Sequence, residues 1–263
     1  MKLHLKIFAG IVFCLILYGI TPLVMVSARQ DNIRRPLIQT TTFRDEYEGM
    51  VSYGGTYIRA LDYADIEEAY ERVKSGIVKI NTSRLHGSGV IWELNEAEIV
   101  IASSAHLLTD WDTDSYIMFG NGTIVSGEIM LLSESYDLGF LKIGIDELTY
   151  EELVGCRQVG REVIAYETLQ DGDAVFSVGS SDGVALDRYE ATVASAHWYI
   201  QEFDSYMLYC FGYAKPGMSG GGTFDTYGNF LGMLSGGTGG GETVSLPVTV
   251  MKKEYEDMKK NDM

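Results

Sequence analysis

Cysteine, proline, histidine and positive charge are all scarce in this chain of 263 residues, which carries three Cys, four Pro and four His. Cys14 lies in an apolar N-terminal run, so Cys156 and Cys210 are the only possible pair beyond it, and the sequence leaves open whether they join or remain two buried thiols. No CxxC and no Cys/His cluster occurs, which argues against a structural zinc site, and no cofactor or metal is expected. Four Pro against 30 Gly points to many tight turns and an all-β chain. Lys and Arg number 20 against 37 Asp and Glu, a net charge of -17. Residues 1–28 hold Lys2 and Lys6 and no acid, so the remainder has 18 basic and 37 acidic groups, or -19. Such a surface repels nucleic acid and anionic lipid headgroups; it serves solubility and would favour basic partner segments.

What is present supports a folded body. Hydrophobic residues make up 46% of the chain and Tyr alone numbers 17, enough for one large domain or two small ones. An uncharged run at residues 7–28 follows Lys2 and Lys6 and is long enough to cross a bilayer as a helix. Val26-Ser27-Ala28, with Pro22 upstream, offers small residues to a signal peptidase, whereas the length of the run favours a retained anchor. Arg29, Arg34 and Arg35 put positive charge on the far side as well, so orientation is poorly set. Either way residues 1–28 read as signal peptide or anchor, and the rest of the chain is expected outside the cytoplasm. Residues 29–62 are polar without a clear period and read as a stalk or pro-segment, with the folded domain expected over 63–263.

Ile66, Ala69, Tyr70 and Val73 fall at i, i+3, i+4 and i+7 and predict a short amphipathic helix. From Gly76 onward short β-type runs alternate with turns. One cluster covers 77–80, 89–94, 99–102, 116–119 and 124–132, and Gly120-Asn121-Gly122 marks a hairpin. Within 124–132, Val125, Gly127, Ile129 and Leu131 alternate with Ser126 and Glu128, as on a half-buried strand. After a polar connection near 146–170, a second cluster covers 174–178, 189–200, 206–211, 220–224 and 230–234. Residues 248–258 read as a helix with Met251, Tyr255 and Met258 on one side, and 236–241 are the only low-complexity stretch. Two clusters of strands indicate paired barrels or a sandwich.

Gly217-Met218-Ser219-Gly220-Gly221 is the most informative stretch. A nucleophilic serine needs a turn that exposes its hydroxyl and free backbone N–H groups that bind an oxyanion, and flanking glycines permit both. The same pattern is the nucleophile elbow of α/β-hydrolases, but those place a histidine after the serine, and no His follows position 197 here. The base must lie upstream. His4 sits in the N-terminal run, and His86 and His197 read as surface or strand residues. His106 follows the strand-like run 99–102 in Ala102-Ser103-Ser104-Ala105-His106, where small residues let the backbone pack at a barrel edge. Asp137, directly before the strand-like Leu138–Ile143 stretch, suits the carboxylate that orients an imidazole, while Asp110, Asp112 and Asp114 read as a solvated turn.

The order His106, Asp137, Ser219 and its surrounding motifs resemble trypsin-fold serine proteases, and among them the HtrA (Deg) branch. The similarity runs from about Ile66 to about Tyr255 through Gly87-Ser88-Gly89-Val90-Ile91, Ser104-Ala105-His106, Tyr136-Asp137-Leu138-Gly139, Phe176-Ser177-Val178-Gly179, Pro216-Gly217-Met218-Ser219-Gly220-Gly221 and Leu246-Pro247-Val248. The resemblance implies two packed six-stranded antiparallel β-barrels with a short N-terminal and a C-terminal helix. It implies Ser219 as nucleophile, His106 as base and then acid, Asp137 as orienting carboxylate, and the N–H groups of Gly217 and Ser219 as oxyanion hole. It also implies Tyr213 at the base of the primary pocket, with Ser235, Gly236 and Gly237 beside the substrate backbone. Met218 stands where the family usually has Asn or Asp, and Gly222 where Pro is common; the motif Ser-Ala-His departs mildly. No PDZ domain and no zymogen-type N-terminus are expected. The implied function is a serine endopeptidase acting on exported or misfolded polypeptides, with a homo-oligomer possible. The alternative is an inactive, anchored binding module on the same fold.

Overall fold

The structure, a computed structural model, describes residues 65–262. The N-terminal run at 7–28, its cleavage site and the stalk or pro-segment at 29–62 lie outside the described residues. Helix α1, Ile66–Val73, starts at Asp65, whose carboxylate accepts from the N–H groups of Glu67 and Glu68 at 2.8 and 3.4 Å, and its apolar stripe buries Ala69 and Val73. Arg188 ties it down through Glu67 at 2.6 Å.

The first sheet has seven strands: β1 Ile77–Asn81, β2 His86–Leu94, β3 Glu98–Ser103, β4 Tyr116–Met118, β5 Ile124–Val125, β6 Glu128–Leu132 and β7 Gly139–Gly144, in the order β5-β4-β1-β2-β3-β7-β6. Its two outer strands, β5 and β6, are successive parts of one segment separated only by Ser126 and Gly127. The sheet therefore curls into a barrel whose edges are bridged by the chain itself, with Trp111 Nε1 donating to the Gly127 carbonyl at 3.1 Å across the break. The expected single strand over 124–132 is split here because the chain must pass from one side of the curl to the other. The predicted alternation also fails at Ile129, which is exposed although Leu131 is buried, because a register shift separates the two residues against β7.

The second unit of sheet is a closed six-stranded barrel, ordered β10-β13-β12-β11-β8-β9. Its strands are β8 Ala174–Gly179, β9 Asp187–Ile200, β10 Ser205–Gly212, β11 Gly222–Asp225, β12 Phe230–Thr238 and β13 Glu242–Pro247. The polar connection contains short helices, Tyr150–Leu153 and Ile164–Glu167, the first begun by a capping box between Thr149 and Glu152. The chain's last helix, Val248–Asp262, buries Met251 and Tyr255 as its predicted stripe requires.

One apolar cluster joins both barrels and that last helix. Trp92 packs on Phe140, Phe230 and Tyr255 with centroids 6.0, 6.4 and 6.0 Å apart, and Tyr255 donates to Glu93 Oε2 at 3.0 Å. Each barrel also has its own core. Cys156 lies in the first and Cys210 in the second, so both are free buried thiols rather than a disulfide, and burial pushes each up to about 12. Among the described residues no helix is long and apolar enough to cross a membrane.

Candidate active site

His106 lies in a single helical turn, Ala105–Leu108, which follows β3 directly. The first N–H groups of a helix have no partner within it, and here one of them is used: His106 N–H donates to Asp137 Oδ1 at 2.9 Å. The ring's Nδ1 meets the other carboxylate oxygen, Oδ2, at 2.8 Å. Asp137 thus holds both backbone and imidazole, which fixes the ring's tilt as well as its position. Its own turn, between β6 and β7, is knotted by Ser133, whose hydroxyl accepts from the N–H groups of Ser135 and Tyr136 and donates to Glu254 Oε1 at 2.6 Å.

The electrostatics follow from this pairing. The hydrogen bond to Asp137 raises the pKa of His106 above the ordinary 6.5, outweighing the opposite effect of partial burial. Burial works against the charged form of Asp137, but hydrogen bonds from the His106 ring and backbone prevail and hold its carboxyl below 3.8. Ser104, fully buried beside this carboxylate, also favours its charged form; its hydroxyl has no well-formed hydrogen bond among the described residues. With Asp137 ionised, Nδ1 is the donor and Nε2 is left as the basic nitrogen.

Ser219 is carried by the second barrel on two successive glycine turns. Met218 N–H closes the first onto the Lys215 carbonyl at 3.2 Å, with Pro216 leading and Gly217 at φ +94; Gly221 N–H closes the second onto Met218 at 3.0 Å, with Ser219 leading and Gly220 at φ +86. This is the residue choice of type II turns, which need positive φ at the third position. Gly220 is also required by space, since a Cβ there would stand 2.0 Å from the Ser88 carbonyl oxygen. Among the described residues the N–H groups of Gly217 and Ser219 find no acceptor, the condition an oxyanion hole demands.

Ser219 Oγ itself faces the Ser235 carbonyl at 3.5 Å, and among the described residues no hydrogen bond joins it to His106. Ser235 is buried on β12 at a register shift between Leu234 and Gly236, which frees its carbonyl from the ladder to β13. Tyr213 is 45% exposed and packs edge-on against Tyr189, 5.1 Å between centroids. The two unusual residues of the loop have local reasons. Met218 is fully buried and its Sδ accepts from Lys215 N–H at 3.4 Å, while at Gly222 the Phe224 ring lies 2.5 Å from where a Cβ would stand.

Sequence reasoning passed over the residue that joins these parts. Ser88 on β2 is fully buried; its N–H donates to the Ser219 carbonyl at 2.9 Å, its hydroxyl to the Gly217 carbonyl at 3.3 Å, and it accepts from Ser180 N–H at 2.7 Å. Its carbonyl takes the Ser103 hydroxyl at 2.6 Å. Gly87-Ser88-Gly89 stood out in the sequence, but only the folded chain shows a side chain of the first barrel gripping the serine loop of the second. Two further contacts brace that loop. His86 Nε2 lies 2.6 Å from the Ser181 carbonyl and its Cδ2 3.0 Å from where a Gly217 Cβ would stand; Lys215 pairs with Asp187 at 2.8 Å. His197, stacked on Tyr206, is on the β9–β10 hairpin, and Asp110 pairs with Arg84 at 3.5 Å; neither belongs to the dyad.

Two barrels with an oriented imidazole on one and a glycine-cradled serine on the other define the double-barrel fold of trypsin-like peptidases. The model of the trypsin-like peptidase domain matches residues 87–233, more than half the chain, and the chain belongs to that family. Among solved structures it is similar to the HtrA-type protease AlgW, in a serine-to-alanine form with a tripeptide, at TM-score 0.62 and 17% identity over 73% of this chain. The chain spans 63% of the length of that protein. It is also similar to Rv3671c from M. tuberculosis H37Rv, a serine-to-alanine mutant in an inactive form, at TM-score 0.58 and 14% identity over 77% of this chain and 98% of the other. No curated protein sequence matches it.

Proposed function

We propose that the chain is a serine endopeptidase in which Ser219, His106 and Asp137 act as one unit. The observation that carries this reading is the double grip of Asp137 on His106, at 2.8 and 2.9 Å, across from a serine on two positive-φ glycine turns. In the reaction the Ser219 hydroxyl leaves Ser235 for His106 Nε2, gives up its proton there, and its oxygen attacks the scissile carbonyl. The oxyanion is taken by the N–H groups of Gly217 and Ser219, and Asp137 stabilises the imidazolium. His106 then passes the proton to the leaving amine, the C–N bond breaks, and an acyl-enzyme remains. Water, deprotonated by the same His106, releases the acid and restores the hydroxyl. A fluorophosphonate probe tests the assignment: it should label the wild type and not Ser219→Ala. A folded wild type that resists the probe would instead be the non-catalytic binding module.

The substrates in this reading are exported or misfolded polypeptides. No carboxylate stands at Tyr213 to pair with Arg or Lys, so cleavage is expected after small aliphatic residues such as Val, Ala or Leu. A peptide-library profile dominated by cuts after Arg or Lys would overturn that specificity. Residues 7–28 would export the protein; a mature N-terminus at Arg29 by mass spectrometry means a cleaved signal, and an intact Met1 in the membrane fraction means an anchor.

A further inference from the structure

The hairpin of β9 and β10 carries an unusual load of exposed rings. Of the twelve large hydrophobic side chains exposed among the described residues, five lie on it or just after it: Trp198, Tyr199, Tyr206, Phe211 and Tyr213. Two of these, Trp198 and Phe211, are more than half exposed, at 55% and 57%. They are organised rather than scattered. Trp198 packs on Tyr209 and Tyr209 on Phe211, with centroids 6.1 and 5.6 Å apart, so the rings form a continuous row. None of these three is needed to fill a core, and exposed contiguous aromatics of this kind mark interaction surfaces.

Charge says what the row would accept. From Asp187 to Ser219 the hairpin and its continuation carry Asp187, Glu190, Glu202 and Asp204 against Arg188 and Lys215, and those two cations are paired with Glu67 and Asp187. Glu242 of β13 adds a further carboxylate beside the row, bonded to the Tyr209 hydroxyl. A second copy of this chain would bring the same acids against these, and an anionic lipid surface would be repelled in the same way. A basic polypeptide is the complement: its Arg or Lys groups can lie over the ring faces while the carboxylates pair with them. The row is also close to the serine loop along the chain, because β10 leads through Gly212 and Tyr213 to Ser219 six residues on.

We infer that the aromatic row Trp198–Tyr209–Phe211 is a docking surface for an extended, basic and apolar polypeptide segment, held away from the bond to be cut. This rests on the reading of the chain as a peptidase and adds where its substrate is gripped. The surface explains how an enzyme with a pocket for small aliphatic residues would still select among many chains: the choice is made at the rings as well as at the cut.

The test separates docking from turnover. Binding of a short peptide alternating Arg and Leu to the full chain is followed by calorimetry, in the wild type and in Trp198→Ala and Phe211→Ala. Both positions are exposed, and circular dichroism checks that each variant is folded. Each substitution should weaken binding by about tenfold. Raising salt from about 0.05 to about 0.5 M should weaken wild-type binding, and a Glu-Leu peptide should not bind. Equal binding of acidic and basic peptides, or unchanged affinity in both variants, overturns the inference. So does a loss of self-association, or of vesicle binding, in the variants while peptide affinity holds; these would assign the rings to a second copy or to a membrane. Fluorophosphonate labelling runs in parallel. If labelling fails and peptide binding holds, docking stands without hydrolysis. If labelling holds and the peptide does not bind, docking falls alone.

Discussion

The two barrels contribute to the site in opposite ways. The first supplies a dyad that is already assembled, with His106 held at two points by one carboxylate. The second supplies a serine whose hydroxyl is turned to Ser235, on a loop of glycines braced from outside by Ser88. Strands and packed turns fix the imidazole; a backbone with two positive-φ glycines presents the serine hydroxyl. The histidine is thus positioned by conventional packing, whereas the serine depends on contacts between barrels. Changes in the first barrel should therefore act on chemistry and pH, and changes in the loop on both assembly and chemistry.

The largest effect is expected from removing either the serine hydroxyl or the imidazole. Ser219→Ala and His106→Ala should each lower kcat by about 10^6-fold, the double variant should be little worse, and melting should be near wild type. Retained activity in His106→Ala with loss in His86→Ala would reassign the base to the residue that braces Gly217. Next in size is Asp137→Asn, which should cost about 10^4-fold by favouring the wrong tautomer. Because the Asp137 hydrogen bond raises the pKa of His106 above 6.5, the acid limb of kcat/KM should lie above that of an ordinary histidine and move to lower pH in this variant. The same pairing has a stability signature. The His106 contribution is fully present below about pH 6.5 and is lost as pH rises through its folded pKa, while that of Asp137 is lost as pH falls through its own value below 3.8.

Two loop variants sharpen the contrast. Gly220→Ala puts a methyl 2.0 Å from the Ser88 carbonyl oxygen at a φ of +86, so Tm should fall by at least about 5 °C and hydrolysis by more than about 100-fold. Ser88→Ala leaves the buried Ser180 N–H without its acceptor, a cost of about 1–3 kcal/mol, and should slow fluorophosphonate labelling by about tenfold with the pH profile unchanged. A shifted pH limb in Ser88→Ala would mean that the loop and the dyad are not separable.

Much of this was legible beforehand because it rests on local rules. The stripe Ile66, Ala69, Tyr70, Val73 gives the first helix at its observed bounds, and β8 to β11 fall within about two residues of their runs, whereas β12 extends four residues past its run into the glycine stretch and β13 was not expected. Chain order puts the candidate histidine before Ser219, and local context separates His106, after a strand-like run, from His86 and His197, and Asp137, before a strand-like run, from Asp110, Asp112 and Asp114. What stayed hidden depends on contacts between distant segments. Ser88 looks like any serine between glycines until Ser180 and Gly217 are brought to it from 92 and 129 residues away. Ile129 points outward because of a register shift, which no alternation of residue types records. The short helices within 146–170 are single turns with few apolar residues, too brief for a helical period to show.

The join between β5 and β6 has a further consequence for how the molecule fails. Along most of the first barrel each strand is laced to two neighbours, but at Ser126-Gly127 no strand ladder closes the circle, only the covalent chain and the single hydrogen bond from Trp111. A barrel of this kind has a preferred line along which to unroll, and β6, lying on that line, runs straight into the turn that bears Asp137. Partial opening there would swing the carboxylate from the imidazole while the closed barrel and its serine remained intact. Heating would then silence the dyad before the fold is lost, and amides 126–127 would exchange their hydrogens ahead of those in β2 and β3.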